Sequence, residues 1–184
     1  MTLQIFDFDE TLFRIPNYTV KEATGMTPYE WYDSPLSLSD EFNIHQIDNL
    51  INIIKDSGDS TINYIISQRS INCRNKIIEI LQKIGIYDKI DTIETLGREY
   101  DKTGTFSILM QYVDINAEFD SIIIYEDSVW EILKYVRFFK EIEVIPTNLI
   151  FKLVSSSKIL TIPFDKVSEI ESSIIDERIK VSKI

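Results

Sequence analysis

The sequence has few of the residues that build disulfides, thiolate metal sites or imidazole chemistry. Among its 184 residues, Cys73 is the only cysteine and His45 the only histidine. An intrachain disulfide and a cysteine-rich zinc site are therefore excluded, which favours a reducing environment. No window approaches the roughly 18 to 20 apolar residues that a membrane-spanning helix needs, and no signal-like segment opens the chain. We expect a soluble, cytoplasmic protein without a membrane partner.

Basic residues are also scarce relative to acidic ones. The chain has 19 Lys and Arg against 30 Asp and Glu, which gives a formal charge of −11. This balance weighs against non-specific binding to a phosphate backbone, so a polynucleotide substrate would require a local basic strip. The length suits one domain with one sizeable core, and we predict a single domain over 1–184.

The sequence contains several short runs rich in β-branched residues, separated by stretches with helical periodicity. Strands are predicted at 2–8, 61–67, 121–125 and 141–145, with a weaker one at 91–96. Helices are predicted at 46–56, 103–113 and 164–179, from Ser70 to Ile84 before Gly85, and from a capping-box pattern at Ser128. This alternation predicts an α/β fold, a three-layer doubly wound, mostly parallel sheet.

Two segments do not follow this alternation. Residues 14–44 hold three prolines and the aromatic residues Tyr29, Trp31 and Tyr32, and they are interpreted as an irregular insertion over the carboxyl edge of the sheet. The aromatic rings either stack bases or pin the insertion to that edge. Residues 146–184 are interpreted as a C-terminal extension of the same domain. Their part 149–162 predicts two short strands joined at 155–157, which either extend the sheet or lie across it.

The residues that follow the strands form the candidate site, because ligands of open α/β sheets bind beyond the carboxyl ends of the strands. This inventory contains carboxylates, hydroxyls and cations that suit a divalent cation and a phosphoryl group. Lys102, just before the helix at 103–113, adds an ammonium, with Lys89 and Arg98 as alternatives. The inventory is Asp7, Asp9, Thr11, Ser67, Arg69, Glu126, Asp127 and Ser128.

These residue types favour phosphoryl transfer. Mg²⁺ takes one or two carboxylates plus water and substrate phosphate. Asp7 and Asp127 would supply the carboxylates, helped by the backbone carbonyl of Asp9 and supported by Glu126. Asp7 would attack phosphorus, and Asp9 would act as general acid and then base.

Thr11 and Ser67 would hold phosphoryl oxygens and Lys102 would offset their charge. Arg69 is either a substrate contact or a solvated residue at the start of a helix. Plainer interpretations also exist: Asp7 and Asp9 as a turn, Glu126 and Asp127 as charges at a helix start, Ser67 as a cap.

These motifs resemble the haloacid dehalogenase superfamily of phosphohydrolases. Asp7 to Thr11 matches its Asp-x-Asp-x-Thr motif, Ser67 its second motif, Lys102 its third, and Glu126-Asp127 its acidic fourth. The four occur in the family order over roughly 1–145. The resemblance implies a haloacid dehalogenase-like fold, Mg²⁺ and an aspartyl-phosphate intermediate. The short gaps between motifs imply a small or absent cap.

Within that superfamily, the segments 12–16, 31–38, 67–69 and 125–128 look like the phosphatase domain of Swiss Army Knife RNA-repair proteins. Ser67-Gln68-Arg69 stands where those relatives show Thr-Gly-Arg, and Ser128 where they show Arg. The resemblance implies phosphorylated RNA or DNA ends as substrate. The alternatives are a phosphoprotein phosphatase and, from another class, a catalytically silent binding module.

Overall fold

The fold is an α/β arrangement built on a six-stranded, mostly parallel sheet. The computed structural model describes residues 1–15, 24–97, 102, 119–141, 148–155 and 158–167. The strands of the sheet are β1 (Thr2–Phe6), β4 (Thr61–Ser67), β5 (Thr92–Thr95), β6 (Ser121–Glu126), β7 (Leu149–Val154) and β8 (Ile159–Pro163). Their order in the sheet is β5-β4-β1-β6-β7-β8, and only the β7–β8 pair is antiparallel. A separate antiparallel pair joins β2 (Phe13–Arg14) to β3 (His45–Gln46).

Helices cover both faces of the sheet, as the continuous apolar runs predicted. The described α-helices are α1 (Pro28–Asp33), α2 (Asp48–Lys55), α3 (Arg74–Lys83) and α4 (Val129–Glu141). One core packs Phe6 of β1 against apolar residues of α2 and α3, and the other packs Leu3 and Ile5 against α4. Because β1 contributes to both cores and pairs with β4 and β6, it is the central strand of the described sheet.

Helix α3 forms where the sequence predicts it. A 3-10 turn at Ile71–Cys73 precedes the helix, and Ser70 caps that turn by accepting a hydrogen bond from the backbone N–H of Asn72. Gly85 adopts a φ of 72° just beyond the helix, a conformation that glycine reaches without strain. The apolar face of the helix, with Ile77 and Leu81, is fully buried.

Residues 24–44 are more regular than the insertion predicted at 14–44. They contain α1 and 3-10 turns at Pro35–Leu38 and Asp40–Phe42. Thr27 and Glu30 form a reciprocal capping box at the start of α1. The three prolines suggested irregular structure, but Pro28 occupies the first turn of the helix, where its missing N–H costs nothing. Residues 16–23 lie outside the described part of the chain.

Other expectations have mixed outcomes. The strands predicted at 149–162 form as β7 and β8, and they extend the sheet rather than crossing it. The helix predicted at 46–56 begins at Asp48, because Gln46 pairs with Phe13 in the small β2–β3 ladder. Glu141, assigned to a strand at 141–145, is the last residue of α4, and 142–145 lie outside the described residues. The helix at 103–113 lies outside them as well, as does 168–179 of the last predicted helix.

None of the helices described in the structure is long and apolar enough to span a bilayer.

Trp31 anchors the segment at 24–44, which favours packing over base stacking for this ring. It is 1% exposed and meets Phe42 edge-on at 4.9 Å between ring centroids, whereas Tyr29 of the same helix is 64% exposed. We predict that Trp31→Ala lowers the free energy of unfolding by about 3 to 5 kcal/mol, because it leaves a cavity. Urea unfolding followed by circular dichroism measures this loss. Tyr29→Ala is the matched control, with an expected loss of about 1 kcal/mol or less, and equal losses would contradict the anchoring role.

Candidate active site

The parallel pairing of β1, β4 and β6 brings carboxylates from different parts of the chain to one edge of the sheet. Phe6 pairs with Ile65 on one side and with Tyr125 on the other, so Asp7 follows level with the ends of both neighbours. The backbone N–H of Asp7 donates to the carbonyl oxygen of Tyr125 at 3.0 Å. Asp7, Glu126 and Asp127 therefore gather where these strands end.

Asp7, Glu126 and Asp127 form a group suited to a hard cation. Each offers a carboxylate oxygen, and the three oxygens lie within 4.8 Å of one another. Among the described residues, the buried Oε2 atom of Glu126 has no hydrogen-bond partner. An all-oxygen donor set with an unused buried acceptor fits Mg²⁺. Asp9, expected to help through its backbone carbonyl, does not contribute a carboxylate to this group.

Lys102 lies in the middle of the buried carboxylates. Its Nζ atom donates to Oδ1 of Asp7 at 2.7 Å and makes an even closer contact with Oε1 of Glu126. Of the two alternatives, Lys89 donates to the carbonyl oxygen of Ser57, before the start of β4, and Arg98 lies outside the described residues. Lys102 is therefore the cation that the structure places beside Asp7.

Burial and mutual repulsion shift the protonation of this group. Burial raises the pKa of Asp7 to about 6, with Lys102 opposing the shift and Asp9 adding to it. Burial and the neighbouring Asp7 raise the pKa of Glu126 well above its usual range, and burial also raises the pKa of Asp127. Burial alone would lower the pKa of Lys102, but the charges of Asp7 and Glu126 outweigh it and raise that pKa. The ammonium therefore stays charged, and a further cation would stabilise the ionised form of the carboxylates.

Arg69 binds Asp9 through a fork of hydrogen bonds. Its Nε donates to Oδ1 and Oδ2 of Asp9, both at 2.9 Å, and its Nη2 donates to Oδ1 at 2.7 Å. Its Nη1 donates to the carbonyl oxygen of Tyr32 at 2.8 Å and to Oγ of Ser37 at 2.7 Å. Arg69 is only 2% exposed, so it is not the solvated helix-start residue that one interpretation of the sequence suggested.

The two hydroxyls assigned to phosphate binding are buried. Ser67 is fully buried, and its Oγ accepts from the backbone N–H of Arg69 at 3.2 Å. Thr11 is also fully buried, and its Oγ1 has no partner among the described residues. Neither belongs to the lining of the cavity at this edge.

A cavity of about 360 Å³ opens above these groups. Three of its lining residues were not in the sequence-based site, namely Glu10, Tyr32 and Gln68. Glu10 has a φ of 59°, and its Oε1 accepts from the backbone N–H of Ile15. A left-handed, non-glycine residue directly after Asp9 is a signal that only backbone geometry reveals. The complete lining is Asp7, Asp9, Glu10, Tyr32, Gln68, Arg69, Lys102 and Asp127.

Comparison of the chain with protein-family models, curated proteins and solved structures gave no match.

Removal of Lys102 should destabilise the fold in a pH-dependent way. We predict that Lys102→Met lowers the free energy of unfolding by about 3 to 5 kcal/mol at neutral pH, because it leaves Asp7 and Glu126 buried without a counter-charge. A carboxyl whose pKa is raised by folding contributes stability at low pH and loses it as the pH rises through the folded value. Without Lys102 the pKa of Asp7 rises beyond about 6, so the loss should be smaller at pH 5 than at pH 8.

Urea unfolding at both pH values measures this difference. Lys76→Met is the matched control, since Lys76 pairs with Glu79 on the surface of α3 at 2.7 Å, and such pairs contribute about 0 to 1 kcal/mol. A loss for Lys102→Met that is the same at pH 5 and pH 8 would contradict the buried charge cluster.

Proposed function

We propose that this chain is a magnesium-dependent phosphohydrolase that works through an aspartyl-phosphate on Asp7, in the manner of the haloacid dehalogenase superfamily. The observation that carries the proposal is the contact of Lys102 with both Asp7 and Glu126 beside Asp127. A buried carboxylate flanked by an ammonium and by two further carboxylates is costly to maintain. That cost is reasonable where a cation and a phosphoryl group complete the site.

Asp7, Glu126 and Asp127 would hold the metal ion. When bound, Mg²⁺ supplies positive charge to the carboxylates and to the phosphoryl oxygens. Asp7 lines the cavity, and its Oδ1 accepts a hydrogen bond from Lys102. Lys102 would thus orient the carboxylate through Oδ1 and leave Oδ2 to approach a phosphorus atom. Lys102 also offsets negative charge that develops on the phosphoryl oxygens.

The reaction has two steps. In the first, an oxygen of Asp7 bonds to phosphorus, the ester bond breaks, and a proton from Asp9 passes to the leaving oxygen. In the second, Asp9 takes a proton from water, the water oxygen bonds to phosphorus, and the bond between phosphorus and Asp7 breaks. The position of Asp9 on the cavity wall, two residues beyond Asp7, supports this assignment.

The substrate class that we propose to test first is the phosphorylated end of RNA or DNA, which the motif resemblance implies. The second is a phosphopeptide. Both cations that line the described cavity are already paired with carboxylates, Arg69 with Asp9 and Lys102 with Asp7. Recognition of a nucleic acid would therefore depend on cations beyond the described lining.

Asp7→Asn tests the nucleophile. We expect wild-type protein to release phosphate from aryl phosphate, 3′- or 5′-phosphorylated oligonucleotides or phosphopeptides in Mg²⁺ and not in chelator. Asp7→Asn should reduce that release by at least about a thousandfold, as expected for loss of a nucleophile. Asp88→Asn is the matched control, because Asp88 lines a different cavity with Ser57 and Lys89. Wild-type release no higher than that of Asp7→Asn on every substrate would refute the catalytic proposal and favour a silent binding module.

Asp127→Asn tests the metal site. Asp127 is exposed and supplies one of the three clustered oxygens. Asp127→Asn should therefore weaken metal binding without disrupting the packing of the core. We expect the Mg²⁺ concentration for half-maximal activity to rise by at least about tenfold, the scale seen when metal-site groups are altered. A Mg²⁺ titration of phosphate release measures it. An unchanged requirement would remove Asp127 from the metal site.

A further inference from the structure

The Arg69 guanidinium joins two parts of the chain that are far apart in sequence. On one side it holds Asp9, 60 residues away, through Nε and Nη2. On the other side both N–H groups of Nη1 are used, by the carbonyl oxygen of Tyr32 and by Oγ of Ser37. The guanidinium also lies 5.5 Å from the centroid of the Tyr32 ring. Arg69 therefore links Asp9 to the segment 32–37.

The segment 32–37 is built to receive this arginine. Ser37 is fully buried, and its hydroxyl donates to the carbonyl oxygen of Ser34 at 2.8 Å, which leaves its lone pairs for Nη1. Ser34 caps the 3-10 turn that carries Ser37 by accepting from the N–H of Leu36. Local turn geometry thus orients the Ser37 hydroxyl that accepts from Arg69.

The remaining freedom of Asp9 matches an acid/base role. Oδ1 accepts from both Nε and Nη2, whereas Oδ2 accepts only from Nε among the described contacts. Each carboxylate oxygen has two lone-pair positions, so Oδ2 keeps one for a proton. The side chain of Asp9 is 26% exposed and lines the cavity. The fork therefore fixes the plane of the carboxylate and leaves a lone-pair position of Oδ2 available for a proton.

We propose that Arg69 is a positioning residue that aims the acid/base carboxylate of Asp9, and that Ser37 and the Tyr32 carbonyl hold Arg69 in turn. This rests on the proposed phosphohydrolase function. The consequence is that the segment 32–37 contributes to catalysis without contacting the reacting atoms. A bidentate fork fixes direction as well as charge, and an ammonium in its place fixes direction less well.

A leaving-group series separates positioning from plain structural support. The kcat/KM value reports formation of the aspartyl-phosphate, which needs a proton from Asp9 when the leaving oxygen is basic and hardly needs one when it is acidic. We expect Arg69→Gln to lower kcat/KM by about a hundredfold or more on phenyl phosphate, the scale of general acid catalysis. On 2,4-dinitrophenyl phosphate the loss should be about tenfold or less.

Two further variants keep the test decisive. Ser37→Ala retains Arg69, so its loss of kcat/KM should also be larger on phenyl phosphate than on 2,4-dinitrophenyl phosphate, but smaller than that of Arg69→Gln. Ser37→Ala replaces Arg69→Gln as the test if Arg69→Gln does not fold. Arg69→Lys should recover part of the loss on phenyl phosphate. Arg74→Gln is the matched control, and any loss of kcat/KM that it shows should be equal on the two esters. Arg74 donates to the carbonyl oxygen of Ile93 and does not line the cavity.

The outcomes distinguish this proposal from the function on which it rests. If Arg69→Gln loses activity equally on both esters while the wild type needs Mg²⁺ and Asp7, the positioning role is overturned and the phosphohydrolase function stands. Full activity of Arg69→Gln would do the same. An inactive wild type would overturn both. A selective loss on phenyl phosphate, partly restored in Arg69→Lys, establishes the role.

Discussion

The candidate site depends on one buried group of charges, in which the ammonium of Lys102 meets the carboxylates of Asp7 and Glu126. Removing three charged groups from water is expensive, and the ion pairs offset that cost only with good geometry. The geometry comes from the sheet, since β1 and β6 run parallel and end together. The excess of carboxylate over ammonium leaves the group short of positive charge, which a bound metal ion would supply.

Much of the fold and part of the site follow from the sequence. Buried parallel strands appear as short apolar runs, and polar residues directly behind them must lie at one edge, which places Asp7, Ser67 and Glu126 without coordinates. The partnership of Arg69 with Asp9 has no such local signal, because it depends on how the segment 24–44 docks on the sheet. The prolines in that segment also hid α1, although Thr27 and Glu30 carry the capping pattern.

The second acidic residue of the motif sits in a different environment from the first. Burial raises the pKa of Asp7 to about 6, whereas Asp9 is held by a guanidinium at the wall of the cavity. Two identical side chains two residues apart therefore have different partners and different exposure. The proposed roles, nucleophile for Asp7 and proton carrier for Asp9, rest on this difference in partners and exposure.

The central place of β1 has a dynamic consequence. Its backbone pairs with strands on both sides, and its side chains enter both cores. Amides in such a strand exchange with solvent only when the whole domain opens, whereas a short helix and 3-10 turns at the surface open locally at lower free energy. We therefore expect the strand that precedes Asp7 to exchange more slowly than the segment 32–37 that holds Arg69.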